Sequence, residues 1–329
     1  MPPVDRKNPK RAASSDSRYS LMEFMREFPD DDACLEWLWR NRYSADGQHA
    51  DCPHKDCGRK HVVFKKYATA QRRQSWTCTA CGHHVQPTAG TIFEGSSTSL
   101  HLWFYAIHLM TSTRCGLSAK QLEREIGVTY KTAWRMLNLI RDKLMAQDGE
   151  PLSGEVEADE TAWGGKPRQG EVEKYRREGE TDLSGAGGRW KQEKKKTVFA
   201  MVERGGRVRA AVVPSRGRTA LHGEIVQYVL PGSTVFTDDW YPYVGLDGRG
   251  YTHHRIRHSE KVYVSGDVHT QTIEGFFSNL KRGIAGTYHA VSSKWLPAYL
   301  NEYAWRYNSR TRRTCTATPW RCWRPGSAT

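Results

Sequence analysis

The pattern of hydrophobic and polar positions changes near Pro151, where short apolar runs replace long helical ones. Three strand-like runs follow, in EVEADETAW, KKTVFAMVE and GRVRAAVVP. A helical stretch, TALHGEIVQYVL, then leads to a fourth strand in STVFTDD, and a further strand-like stretch comes after it. Because strands and helices alternate, residues 150–310 are predicted to form a mixed α/β sheet flanked by helices.

One amphipathic helix is predicted late in this segment, in QTIEGFFSNLKRGI. Its apolar residues recur at helical spacing: Ile273, Phe276, Phe277, Leu280 and Ile284. Glu274 and Lys281 lie beside that stripe and are two helical turns apart, so both point to the same side of the helix. The pattern alone leaves two interpretations open, an ordinary charged surface and half of an active site.

A second helical region is predicted at residues 98–148, before the strands begin. It begins with a buried helix in LHLWFYAIHLM, and the stretch after it divides at Gly127 into two helices, the first of which begins after a capping serine, Ser118. The second helix is predicted to expose Tyr130, Lys131, Arg135 and Asn138. Two helices joined by a tight turn, with such a surface on the second, are typical of a helix-turn-helix that binds DNA. A helical hairpin with an ordinary charged surface is the alternative.

The remaining segments are rich in charge or short. Residues 1–20 contain many Lys, Arg, Ser and Pro and are expected to form a disordered basic arm, followed by a helical lead at 21–48. Residues 166–195 are expected to be a charged surface insertion between the first two strands. The basic, tryptophan-containing tail at 311–329 fits two interpretations, a grip on the DNA backbone and a loosely docked terminus.

Net charge narrows the choice of partner. The chain has 50 Lys and Arg residues against 36 Asp and Glu, which gives a formal charge of +14. Such an excess concentrates polyanions, so nucleic acid is the first partner to expect. The sequence has no apolar run long enough to span a bilayer, and its start lacks the apolar stretch of a signal peptide. We therefore expect a cytoplasmic protein that does not bind a membrane.

Four of the eight cysteines are grouped within residues 49–95. They occur as two pairs, Cys52 with Cys57 and Cys78 with Cys81, joined by a predicted hairpin. Tetrahedral zinc takes four soft ligands, and a short turn with glycine after the second cysteine directs two thiolates to one point. A structural Zn²⁺ ribbon is thus predicted. Reduced cysteines in a loop, two labile disulfides, and replacement of one thiolate by a nearby histidine are the alternatives.

The strands also carry candidate catalytic residues. Alternation in EVEADET directs two apolar residues to one face and three acidic residues, the last of them Asp159, to the other. An acidic face on a central strand is costly unless a positive group binds to it. The fourth strand ends in Asp238 and Asp239, at the carboxyl end where α/β sheets commonly place their sites. With Glu274 on the following helix, these residues offer the oxygen ligands that hard cations require.

Asp159, Asp238 and Glu274 resemble the triad of DDE transposases, whose RNase H-like domain takes one carboxylate from the first strand, one after the fourth and one from a following helix. More closely, the stretches DETAWGGK, TDDWYPY and HTQTIEGFFSNLKRGIAGTYHAVS are similar to the ISXO-like group of bacterial insertion-sequence transposases. That group also carries an N-terminal zinc ribbon before a helix-turn-helix. The resemblance extends over about residues 21–310.

The resemblance implies a DNA transposase that binds the terminal inverted repeats of an insertion sequence and catalyses strand cleavage and strand transfer. Asp159, Asp238 and Glu274 would hold Mg²⁺ or Mn²⁺, and Lys281 would contact the phosphate next to the scissile one. Double-stranded DNA would be the partner, both as element ends and as target. A homodimer or higher oligomer on DNA, at the bacterial nucleoid, is also implied because two ends must be held together.

Two positions depart from the pattern of that group. Gln271 stands where relatives often have Asn, and Asp239 stands beside Asp238 where the group usually has a single aspartate. Two other functions stay open at this point. One is a DNA-binding regulator without catalysis, and the other is an RNase H-like nuclease that cuts DNA without joining it.

Overall fold

The structure is a computed structural model that divides into two compact units. It describes residues 19–68, 74–113, 115–147, 149–164, 195–256 and 270–310, together with Glu173 and Arg177. The first unit extends to Leu144, and the second is Met145–Asn308. The expected basic tail at 311–329 lies outside the described residues, and so do nearly all of the basic arm at 1–20 and the insertion at 166–195.

The first unit begins with two helices and a small antiparallel sheet. The helices are α1 (Leu21–Glu27) and α2 (Asp31–Arg42), and the strands, in sheet order, are β1 (His49–Ala50), β2 (Val62–Ala68), β3 (Gln74–Cys78) and β4 (His84–Val85). The side chains of Ser20 and Asp30 cap the two helices by accepting hydrogen bonds from their first turns. The indole of Trp39 in α2 stacks on that of Trp76 in β3, with ring centroids 5.0 Å apart. The helical lead therefore packs against the cysteine-bearing sheet.

Three more helices complete the first unit: α3 (Leu100–Ser112), α4 (Ala119–Ile126) and α5 (Tyr130–Leu139). The hydroxyl of Ser118 accepts a hydrogen bond from the first turn of α4, and the hydroxyl of Thr129 does the same for α5. Between them Gly127 has a φ of 68°, the left-handed conformation in which glycine ends a helix without strain. The turn that joins α4 to α5 is therefore only three residues long.

The second unit is built on a five-stranded sheet with the order β7-β6-β5-β8-β9. The strands are β5 (Glu155–Trp163), β6 (Lys196–Glu203), β7 (Val208–Val213), β8 (Thr234–Asp238) and β9 (Thr252–Ile256). The first three pair antiparallel, whereas β8 runs parallel to both β5 and β9. This topology confirms the predicted α/β class and is RNase H-like.

Helices cover both faces of this sheet: α6 (Arg218–Tyr228) on one, and α7 (Gln271–Gly283) with α8 (Leu296–Ser309) on the other. Val156 and Ala158 of β5 join the core under α6. Because successive residues of a strand point to opposite faces, Glu157 and Asp159 point to the α7 side. In the part of the chain that the structure describes, no helix is long and apolar enough to cross a membrane.

Candidate active site and metal centre

Asp159 and Asp238 lie on the two central parallel strands, β5 and β8. The register pairs Glu157 with Phe236, so the two aspartates occupy equivalent positions two residues further along each strand. Paired residues of parallel strands point to the same face, and neighbouring strands are about 4.8 Å apart. Both side chains are partly buried. The two aspartates therefore project from the same face of the sheet, at the point where β8 ends.

The third predicted carboxylate, Glu274, is in the first turn of α7, which packs on that same face. Its exposed side chain accepts a hydrogen bond of 3.4 Å from the hydroxyl of Thr270. Among the described residues, however, Asp159, Asp238 and Glu274 do not form a closed cluster of ligand atoms. Repulsion between like charges favours such a separation until a cation compensates them.

The start of α7 is fixed by Glu157 of β5, whose side chain is completely buried. One carboxylate oxygen accepts hydrogen bonds from the backbone N–H groups of Thr272, at 2.9 Å, and Ile273, at 3.0 Å. The other accepts from the hydroxyl of Thr272 and from Nε of Arg204, both at 2.9 Å. The first N–H groups of a helix have no partner within the helix. Glu157 therefore caps α7 from a strand that lies 115 residues earlier in the chain.

Arg204, which directly follows β6, compensates this buried charge and reaches two further strands. Its Nη1 donates to the carboxylate of Glu155 on β5, at 3.1 Å. Its guanidinium carbon lies 4.0 Å from the ring centroid of Phe236 on β8, a cation–π contact. Together Glu157 and Arg204 thus touch β5, β8 and α7, the three elements that carry the predicted catalytic carboxylates.

The negative charges of the aspartates also affect a carboxyl group on the opposite face of β5. There the carboxylate of Glu160 accepts a hydrogen bond from the hydroxyl of Tyr243, which is completely buried. Burial is the main reason that the pKa of Glu160 is raised to about 7, and the charges of Asp159 and Asp238 act in the same direction. Arg216 partly opposes them. A divalent cation would be stabilised by such a local excess of negative charge, so the carboxylates present fit Mg²⁺ or Mn²⁺.

The two neighbouring aspartates differ in their contacts. Oδ1 of Asp238 accepts a hydrogen bond from the backbone N–H of Trp240, at 3.3 Å. Asp239 is exposed and forms an ion pair with Arg255 of β9, at 3.3 Å. The register with β5 therefore favours Asp238 as the site residue, and the ion pair gives Asp239 a separate role.

The other two predicted positions on the helix are both exposed. Gln271 is the first residue of α7, and Lys281 lies near the opposite end, where its ammonium group is 5.9 Å from the ring centroid of Phe277. Since the helix rises about 1.5 Å per residue, Lys281 is about 10 Å along the axis from Glu274. Lys281 therefore lies two turns away from the predicted third carboxylate, on the same side of the helix.

The roles of Glu157, Arg204 and Glu160 were not predicted from the sequence. The alternating pattern does direct Glu157 to the acidic face, and an acid on a central strand demands a positive or hydrogen-bonding partner. Its partners lie 47 and 115 residues away in the chain. Local periodicity carries no information about contacts at that separation.

The four predicted zinc ligands come together at the end of the small sheet. Every pair of sulfurs among Cys52, Cys57, Cys78 and Cys81 lies within 4.8 Å, and the sulfurs of Cys52 and Cys81 are 3.7 Å apart. With Zn–S bonds of about 2.3 Å, tetrahedral coordination needs sulfurs about 3.8 Å apart. Burial raises the pKa of Cys78, but hydrogen bonds from the backbone and from the neighbouring cysteines lower it to about 7, whereas burial raises the pKa of Cys52 to about 12. One ion would favour the thiolate form of all four side chains. The donor set fits a structural Zn²⁺ ion.

Four residues of α5 were predicted to be exposed for contact with DNA, and three of them are exposed. Tyr130, Lys131 and Arg135 are exposed on one side of the helix. Asn138 is only 7% exposed, so the prediction that it lies on the exposed surface with the other three is wrong. Position 138 lies two helical turns after the exposed Lys131, on the same side of α5, so its burial comes from tertiary packing that the periodicity of the helix does not predict.

Comparison with known proteins identifies relatives of both units. Residues 151–308 match the model of a family described as the ISXO2-like transposase domain. An uncharacterized protein in transposable element ISH50 of Halobacterium salinarum is 31% identical over 260 residues, which are 78% of this chain and 84% of that protein. An uncharacterized transposase-like protein of Haemophilus influenzae is 29% identical over 103 residues, which are 31% of this chain and 82% of that protein.

Removal of zinc is expected to unfold the small sheet. One ion would hold the four thiolates together, and metal binding and folding are coupled in such sites. Purified protein should contain about one zinc per chain by elemental analysis, and Cys78→Ala should lose the metal together with protease resistance at residues 49–95. Cys115→Ala, which changes an exposed cysteine outside the cluster, is the control. Retention of zinc by the Cys78 variant would contradict the assignment.

Glu157→Gln is expected to destabilise the second unit strongly. The amide would direct an NH₂ group at N–H donors or at Arg204, and it would leave the partly buried guanidinium with only the exposed carboxylate of Glu155 as a counter-ion. The free energy of unfolding, from urea titration, should fall by about 3–5 kcal/mol. Glu155→Gln is the matched control, because it removes the other carboxylate on the same arginine, but from a side chain that is 54% exposed. Its cost should stay below about 1 kcal/mol, and equal losses in the two variants would refute the proposed role of the buried pair.

Proposed function

The chain belongs to the ISXO2-like family of insertion-sequence transposases, and we propose that it binds the terminal inverted repeats of its element and catalyses metal-dependent cleavage and strand transfer. The observation that carries this proposal is the parallel register of β5 and β8. It supports a pair of adjacent aspartates, Asp159 and Asp238, beneath a helix that brings Glu274 to the same face. A regulator without catalysis would not require that convergence.

In this proposal Asp159, Asp238 and Glu274 hold the catalytic ions, and the cysteine cluster holds a structural Zn²⁺. Two Mg²⁺ ions, when bound, supply activation of the attacking oxygen and stabilisation of the leaving oxygen in an in-line displacement at phosphorus. The aspartates orient the ions because both are fixed on strands in the middle of a sheet. No covalent bond between protein and DNA is needed.

Two residues of α7 have different proposed roles, one as the third metal ligand and one as a phosphate contact. Glu274 is favoured over Gln271 as the third ligand because its side chain is a carboxylate and because the first turn of a helix stabilises a negative charge. Lys281, about two turns further on, contacts the phosphate next to the scissile one and so positions the strand. Its side chain is exposed, as a phosphate contact requires.

Recognition of the element ends is assigned to the first unit. Lys131 and Arg135 lie on the exposed side of α5, with Tyr130 at its start, and the tight turn before it is that of a helix-turn-helix reader. The exposed strand β2 adds Lys65 and Lys66 on the cysteine-bearing sheet. Since an insertion sequence has two ends, the active species is a homodimer or a higher oligomer on DNA.

The paired aspartates give the sharpest test of catalysis. Asp159→Asn and Asp238→Asn should each slow cleavage of DNA that carries the flanking inverted repeats by about a thousandfold or more, since a metal ligand is worth several kcal/mol in the transition state. Asp239→Asn should cleave at close to the wild-type rate because that side chain pairs with Arg255. Calorimetric titration with Mg²⁺, without DNA, gives a second readout. Asp159→Asn and Asp238→Asn should weaken Mg²⁺ binding, and Asp239→Asn should not.

Two further comparisons complete this experiment. Glu274→Gln and Gln271→Ala identify the third ligand, because only the former should abolish Mg²⁺ binding. Joining of the cleaved 3′ end to a target plasmid distinguishes a transposase from a nuclease that only cuts. Cleavage that survives both aspartate substitutions would disprove the catalytic assignment.

The surface of α5 can be tested by its salt dependence. Lys131→Ala and Arg135→Ala should weaken binding to the element end, and each should lower the slope of log K against log salt by about 0.9 if it contacts one phosphate. Fluorescence anisotropy at several salt concentrations measures both quantities. Lys143→Ala removes an exposed charge just beyond α5 that pairs with Asp142, and it should leave the slope unchanged. Identical slopes for all three variants would argue against this surface.

A further inference from the structure

Tyr241 is the most exposed of the large hydrophobic residues that the structure describes, with 74% of its surface accessible. It begins a short 3-10 helix, Tyr241–Tyr243, only three residues after Asp238 at the end of β8. Packing within the described fold does not explain such an exposed ring. Its position beside the proposed catalytic aspartate suggests a contact with what the site binds.

The turn that carries Tyr241 is fixed on both sides. Before it, Trp240 packs against the core under α6 and its N–H donates to Asp238. After it, Tyr243 is completely buried and its hydroxyl donates to Glu160. The exposed ring is therefore presented by a rigid turn, and the entropy lost when a partner binds to it is small.

A cation already lies against this ring. The guanidinium carbon of Arg218, the first residue of α6, is 5.1 Å from the ring centroid of Tyr241. Arg216, two residues earlier, is close enough to Glu160 to lower its pKa. Both arginines are exposed. The surroundings of Tyr241 thus combine an aromatic face with positive charge, next to the negative charge of the aspartates.

We propose that Tyr241 stacks on an unpaired nucleobase next to the scissile phosphate, while Arg218 contacts the phosphate that follows. We call these two residues the stacking pair. The proposal rests on the proposed transposase function and names how the site would grip the strand that it cuts. Aromatic rings accept any base by stacking, and guanidinium groups bind phosphate, so the two side chains together fit a single DNA strand that has left the duplex.

The chemistry favours DNA over a protein partner. An aromatic residue at a protein interface is usually surrounded by apolar side chains that exclude water. Tyr241 instead has Arg218 against it and Arg216 nearby, together with the Asp239–Arg255 ion pair of the same loop region. Charged neighbours of this kind are typical of nucleic-acid surfaces.

The test uses the full-length protein and DNA that carries the element end. 2-Aminopurine is substituted, one position at a time, for the bases on either side of the cleavage point, and Asp238→Asn protein is used so that the DNA stays intact. Protein with Tyr241 should quench the fluorescence of one of these bases, because stacking quenches 2-aminopurine. Tyr241→Phe should quench it equally, and Tyr241→Ala should not.

Cleavage by protein with Asp238 intact gives the second readout. Tyr241→Ala should slow cleavage by about 5- to 150-fold, the effect expected from the loss of one stacked base, and Tyr241→Phe should not. An abasic site at the quenched position should slow the wild type by a similar factor and should slow Tyr241→Ala no further. Val226→Ala, which removes exposed apolar surface elsewhere on α6, is the control and should behave as wild type.

The possible results of these measurements separate the stacking proposal from the proposed function. Unchanged quenching in Tyr241→Ala overturns the proposal even if the protein cleaves nothing, whereas failure of the wild type to cleave overturns only the proposed function. A defect shared by Tyr241→Phe would mean that the hydroxyl is needed and stacking is not. Light scattering tests whether Tyr241→Ala loses oligomerisation. If it does and the quenching is unchanged, the ring is a protein contact and the proposed role of the stacking pair is overturned.

Discussion

The ion pair of the buried Glu157 with the partly buried Arg204 is the interaction on which the arrangement of the second unit depends. A carboxylate without access to water is unfavourable unless hydrogen bonds and a counter-ion compensate it. Here both oxygens have two partners each, taken from α7 and from the arginine that follows β6. Because the guanidinium also lies on Phe236, the pair joins β5, β8 and α7 in one network. The proposed catalytic carboxylates lie on those three elements and share their rigidity.

The opposite end of α7 is fixed by the same kind of contact. Glu302 of α8 is completely buried and accepts hydrogen bonds from the hydroxyl of Tyr288, at 3.0 Å, and from Arg306, at 2.7 Å. Tyr288 ends the helical turn that directly follows α7. Buried carboxylates on two different neighbours therefore bind the start of α7 and the turn that follows its end.

Sequence periodicity predicted what depends on nearby residues. The alternation in β5 correctly directed Val156 and Ala158 into the core, and the class of the sheet followed from the order of strands and helices. The partners of Glu157 and the contact between Tyr243 and Glu160, 83 residues apart, were beyond such reasoning because they depend on the tertiary fold. The burial of Asn138 was missed for the same reason: it points to the same side of α5 as the exposed Lys131, and only the tertiary fold buries it.

The late position of α7 in the chain has a consequence for the protein while it is being made. Domains fold in order from the N-terminus during synthesis, so the cysteine cluster and helices α4 and α5 can form while later residues are still missing. Glu157 and Arg204 are present early, but the backbone groups that complete their network appear only with Thr272 and Ile273. An unfinished chain thus has the surface proposed to bind DNA before it has the site proposed to cut it.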